Sequence, residues 1–124
     1  MPNATVKFNV GECNGTAGFK IGNKSFQPNE LQGGEYTIKF KYEYGSEVQF
    51  TMFGKGNKDT KMVNGQVVKD KYIEIKQLAM DFLILENWQF HTYLWDPYFG
   101  KNETKVLKIP TRDDFPIWYM EVTS

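Results

Sequence analysis

The sequence predicts an all-β fold: one domain over residues 1–124, built as a two-sheet antiparallel β-sandwich and jelly-roll-like in its strand order. Three observations carry that prediction. Apolar and polar side chains alternate through most of the chain, which is the period of a strand with one buried face. Turn signals built on Gly, Pro, Asn and Asp recur about every 8 to 12 residues, the spacing of a sandwich rather than of β-α-β units. Finally, 3 Trp, 7 Tyr and 10 Phe among 124 residues supply bulky apolar rings for the space between two sheets. A chain of this length buries a core without disulfides, and no repeat or linker divides it.

Taken in order, Thr5–Val10 is a first strand with Val6, Phe8 and Val10 on one face, followed by a turn-rich connection from Gly11 to Gly18. Phe19-Lys20-Ile21 is a short strand closed by Gly22-Asn23, and Gln27-Pro28-Asn29-Glu30 with Gly33-Gly34 marks the next connection. Glu35–Tyr44 is the clearest strand, apolar at every even position from 36 to 44 and polar at every odd one. Gly45-Ser46 follows, and Glu47–Phe53 returns with the same alternation, so the two are expected to form a hairpin. After a loop over 54–59, Asn64-Gly65 is a tight-turn dipeptide, and Tyr72–Ile75 alternates again. Residues 77–85 fit a strand through Leu78, Met80, Phe82 and Ile84, or one helical face through Leu78, Phe82 and Leu85. Strand is preferred there because a lone helix would be short and uncapped. Thr104–Ile109 is a strand ended by Pro110, Thr111–Asp114 is a turn, and Phe115–Val122 is expected to close the chain as a last strand. No helix is predicted.

The stretch from Glu86 to Gly100 organises the rest, with two of the three tryptophans and the only histidine. Read at a period of two, Trp88, Phe90, Thr92 and Leu94 face the core, while Gln89, His91, Tyr93 and Trp95 face outward until Asp96-Pro97 stops the strand. Phe8, Phe40, Phe50, Phe90 and Trp88 are expected in the interior. Tyr93, Trp95, Tyr98 and Phe99 are the rings harder to bury. A sugar ring is recognised by a flat apolar plate against its C–H face, with amides, imidazoles or carboxylates nearby for its hydroxyls. Gln89, His91, Tyr93, Trp95, Asp96 and Tyr98 form such a set, with Trp95 and Tyr93 as plates and Gln89, His91 and Asp96 as hydrogen-bonding partners.

Composition narrows the function. Lys+Arg and Asp+Glu both number 15, so the net charge is zero and nothing favours a nucleic-acid partner. Arg112 is the only arginine, which leaves bidentate phosphate recognition poorly served. A single cysteine, Cys13, rules out an intrachain disulfide and a multi-cysteine metal site, and no positive cluster surrounds it to activate a thiol. No stretch approaches the roughly 20 apolar residues of a membrane-spanning helix, and Met1-Pro2 opens without a secretory signal. The triplets at Asn3, Asn14, Asn23 and Asn102 serve as loop markers. His91 is the only imidazole, without a Gly-x-Ser-x-Gly turn, and the carboxylates show no spacing that selects a catalytic pair. An enzyme, a metal site and a cofactor are therefore not expected.

Gly33-Gly34-Glu35-Tyr36-Thr37, Trp88-Gln89-Phe90, Val106–Ile109 and Ile117–Val122 together resemble the strand skeleton of jelly-roll carbohydrate-binding modules over roughly residues 30 to 124. The resemblance implies a non-catalytic module whose partner is a polysaccharide or glycan. Its closing strand has Glu121-Val122 in place of a pair of acidic residues, so no structural calcium is carried over. Similar patterns occur in galactose-binding-like sandwiches and in phage tail and baseplate domains. That leaves a second expectation: a structural or assembly domain with a protein interface, part of a multidomain parent or a homo-oligomer. Tyr93–Asn102 followed by Trp118–Glu121 also resembles the aromatic turn and final strand of aegerolysins, which implies lipid binding. A binding module would be extracellular or virion-associated; the sequence itself carries no address.

Overall fold

The computed structural model describes residues 2–11, 18–26, 33–55, 60–70, 72–80 and 83–123. Cys13, Asn14, the 27–30 connection, most of the 54–59 loop and Phe82 lie outside them. Two antiparallel sheets pack face to face. The first has the order β10 (Tyr98–Phe99), β8 (Ile73–Met80), β1 (Asn3–Val10), β4 (Gly34–Lys41), with β9 (Leu83–Glu86) also pairing β8. The second runs β11 (Glu103–Lys108), β5 (Glu47–Phe53), β2 (Gly18–Ile21), β3 (Lys24–Phe26). A separate hairpin joins β6 (Thr60–Val63) to β7 (Gln66–Asp70). Asn64 and Gly65 both have positive φ at its turn, 53° and 77°, as a two-residue type I′ connection requires.

Alternation explains the core. Ala4, Val6, Phe8 and Val10 of β1 and Ile73, Ile75, Leu78 and Met80 of β8 meet Phe19 and Ile21 of β2 and Val48, Phe50 and Met52 of β5, all buried. Phe40, Phe50 and Phe90 are inside as the sequence predicts. Trp88 is not: it is 57% exposed, on the outside of a helical turn.

Three expectations are corrected. First, β4 and β5 are not a hairpin. Among the described residues β4 pairs only with β1, whereas β5 pairs with β2 and β11, so the 42–46 connection carries the chain from one sheet to the other. Gly45, at φ +81°, and the bond from Ser46 N to Glu43 O at 3.2 Å make that corner. Alternation reports faces, and partners are set by non-local pairing.

Second, 87–94 is not a strand but α1 (Asn87–Gln89) continuing into a π-helical turn over Phe90–Leu94. Gln89 Oε1 accepts from Glu86 N at 2.8 Å in a capping box, and Asn87 Nδ2 donates to Ile75 O at 2.7 Å. Gln89 and Phe90 are buried and Tyr93 and Leu94 half-buried, while Trp88, His91 and Thr92 are exposed, a helical split of faces.

Third, the chain closes on a helix, α2 (Phe115–Thr123), rather than a strand. Asp114 O accepts from Trp118 N at 3.1 Å to begin it, and Pro116 sits in its first turn, where no amide donor is needed. Phe115, Trp118 and Val122 turn inward at helical spacing. Residues 77–85 are strand where described, and a reversal between β8 and β9 shifts the phase, so that Leu83 and Leu85 are buried and Ile84 is exposed.

Candidate functional site

The chain leaves the π-turn at Trp95 and makes a tight corner before β10. Asp96 Oδ1 accepts from Tyr98 N at 3.0 Å, a side-chain-closed turn around Pro97. Pro97 O accepts from Ile75 N at 3.0 Å and ties the corner to β8. On the other side, Lys55 Nζ donates to Gly100 O at 2.7 Å, while Lys55 N and O bond the Asn102 amide at 2.8 and 3.1 Å. The 95–102 segment is thus held to both sheets.

Beneath it lies Lys105. On β11, Glu103, Lys105 and Leu107 oppose Met52, Phe50 and Val48, so they occupy inward-facing positions at the sandwich edge. The Lys105 ammonium donates to Tyr98 O at 2.7 Å and to Asp96 O, and it lies 3.6 Å from a Glu103 carboxylate oxygen. It also sits 4.5 Å from the Phe99 ring centroid, where the ring face favours a cation. An otherwise costly inward charge is satisfied on every side.

These residues bound an open cleft of about 600 Å³, lined by Trp95, Asp96, Tyr98, Lys101, Glu103 and Lys105, with Gly100 at its margin. Trp95 is a fixed wall. Its Nε1 donates to Val106 O at 2.9 Å, and its ring packs on Phe50, Phe90 and Phe99 at centroid distances of 5.5, 5.2 and 6.0 Å. Tyr98 is the outward ring. It is 39% exposed and stacks on Tyr72 at 5.3 Å and 27°, so Tyr72 backs the Tyr98 plate from a neighbouring segment. A Cβ on Gly100 would meet Tyr98 Cε1 at 2.7 Å. Only glycine lets the ring take this position undisturbed.

Of the six residues singled out from the sequence, Trp95, Asp96 and Tyr98 come together in the cleft. Gln89 is buried and holds the α1 cap, His91 is exposed on the π-turn, and Tyr93 is half-buried against the core; none of these three lines the cleft. Sequence reasoning missed Tyr72, Gly100 and Lys105. Lys105 carried a signal, since it is in phase with Leu107. Tyr72 carried none, because its position depends on β8 pairing with β10.

The cleft offers two apolar rings flanked by carboxylates and ammonium groups, a surface for stacking and hydrogen bonding. Among the described residues no group of three or more His, Cys, Asp or Glu is placed to hold a metal ion, and no helix is long and apolar enough to cross a membrane. The chain matches no protein-family model, no curated protein and no solved structure.

Proposed function

We propose that this protein is a non-catalytic glycan-binding module whose platform is the cleft beside Tyr98. The observation that carries this reading is the Tyr98 plate, backed by Tyr72 and set at the mouth of a cleft of about 600 Å³ whose second wall is Trp95. A pyranose stacks its C–H face on such a plate and hydrogen-bonds its hydroxyls to Asp96, Lys101 and Glu103 at the rim. Two of the polar groups already have structural work. Lys105, in the floor, bonds two carbonyls, and Asp96, at the rim, closes the turn through Oδ1. That suits a surface made to hold a ligand in place.

Tyr98 is a better probe than Trp95, because truncating a ring packed on Phe50, Phe90 and Phe99 costs about 3 kcal/mol of stability. Native gels cast with soluble polysaccharides test the reading. Wild-type protein is retarded by at least one polymer, Tyr98→Ala is not, and Gly100→Ala is retarded less because its methyl displaces the ring. Equal mobility of the three proteins in every polymer contradicts it.

A second reading rests on a separate observation. Ile84, Trp88, Ile117 and Met120 are 55%, 57%, 62% and 68% exposed on β9, α1 and α2, and large exposed apolar groups favour association. In that reading the chain is a structural or assembly domain of a phage or secreted complex, in a multidomain parent or a homo-oligomer. A lipid-binding protein of aegerolysin type would use the same groups. Light scattering that shows a defined oligomer, dispersed by Met120→Lys, supports assembly; co-sedimentation with vesicles supports lipid.

A further inference from the structure

Tyr98 belongs to β10 at one edge of the first sheet and pairs with Glu74, so its ring adjoins that sheet's outer face. The register shows what a chain leaving the Tyr98 plate would meet. Tyr98 pairs with Glu74, Glu74 with Asn9, and Asn9 with Glu35, one row across four strands that spans about 14 Å at the usual strand spacing. Glu74 is already bonded by Lys76 Nζ at 2.8 Å.

The adjoining part of the face carries three lysines. Lys7, Lys39 and Lys41 are all exposed and alternate with residues that pack toward the core. Their direct cross-strand partners are neutral: Thr37 and Gln77 flank Lys7, Thr5 faces Lys39, and Asn3 faces Lys41. Lys39 is the diagonal neighbour of Lys7, and Lys41 follows on the same strand face, so their Cβ atoms are about 7 Å apart. Like charges so placed repel, and among the described residues none of the three has an ion-pair partner. Outward carboxylates border the group: Glu35 is the other diagonal neighbour of Lys7, and Glu86, bonded by Gln77, lies in the row of Lys7 two strands away. On the second sheet Lys108 faces Glu47 directly, while Lys20 faces Ser25 and Thr51. Three lysines without a direct acidic partner thus share one stretch of the face with hydroxyl and amide groups.

We propose that Lys7, Lys39 and Lys41 form an anion-binding extension of the cleft that recognises an acidic, carboxylate-bearing polysaccharide lying across the outer face of the first sheet. The proposal rests on the glycan-binding reading of the Tyr98 cleft and names the ligand's chemical class. Lysine suits the task because a uronate carboxylate needs a nearby positive charge, with no bidentate geometry imposed. The hydroxyls of Thr5 and Thr37 supply hydrogen bonds alongside.

The test uses polygalacturonate and the same polymer fully methyl-esterified, which keeps the backbone and removes the charge. Mobility is measured against gels without polymer for wild type, Tyr98→Ala, and the triple variant Lys7→Gln, Lys39→Gln, Lys41→Gln, with circular dichroism to check folding. The proposal expects wild type to prefer polygalacturonate, a preference that fades at high salt. The triple variant loses about tenfold in affinity for it, the sum of three exposed ion pairs, with no change toward the ester. If both polymers bind equally and the triple variant behaves as wild type, the lysine extension is wrong and the cleft reading stands. If polygalacturonate binding survives Tyr98→Ala but not the lysine changes, the anion site stands and the cleft reading falls. Retardation of wild type by neither polymer overturns the extension.

Discussion

Lys105 shows how one side chain holds a site in place. Its ammonium reaches two carbonyls of the 96–98 corner and one carboxylate, with the Phe99 ring beneath. Charge-assisted hydrogen bonds contribute about 1.5–3 kcal/mol each when well formed, less where solvent reaches them. Lys105→Met keeps the stem's packing and removes the donors. Its expected effect is a loss of about 1–3 kcal/mol in chemical denaturation together with weaker glycan binding, since the corner that carries Tyr98 is released. A variant with wild-type stability and wild-type binding would show that the corner holds without it. The sequence contained half of this site. Trp95, Asp96 and Tyr98 stood out as rings and a carboxylate beside a proline turn, whereas Gly100 matters only because of where the Tyr98 ring comes to rest. Gln89 and His91 were placed on the binding face by a strand period that the chain does not follow there.

The strands were readable where one face is buried. β1, β2 and β5 keep their apolar residues in step with the core, so a period of two identifies them unaided, whereas β8 changes phase at a bulge at Lys76, with Ile73 and Ile75 buried before it and Leu78 and Met80 after it. The two helical segments were misread because both are short and rich in aromatics, and such runs fit either period. Each nevertheless carried a start signal. Glu86 and Gln89 have the spacing of a capping box, and Asp114 followed by Pro116 has the look of a helix N-terminus. Thr111 Oγ1 donates to Asp114 Oδ2 at 2.9 Å, and Asp114 N donates back to Thr111 O at 3.1 Å. Asp114→Ala therefore costs about 1 kcal/mol, a fall of about 4 °C in melting temperature. Asp113→Ala leaves it unchanged, and equal melting points for all three proteins would show that this corner does not set the helix.

At the level of the whole molecule, two different surfaces sit on different elements. The Tyr98 cleft lies where β10, the 95–102 corner and β11 meet, so both sheets build it. The apolar groups of β9, α1 and α2 lie on other elements. The two-sheet sandwich follows from alternation, but neither surface could be completed from the sequence, because both depend on which strand pairs with which. After β4 the chain crosses to the second sheet where a hairpin was expected, and Tyr72 meets Tyr98 only through the β8–β10 pairing. The decisive measurement is an NMR titration of the labelled protein with a soluble oligosaccharide from a polymer that retards it. The glycan-platform account predicts that amide shifts concentrate at Tyr72 and from Trp95 to Lys105. Shifts confined to α2 and Trp88, with the 95–105 corner silent, would contradict it.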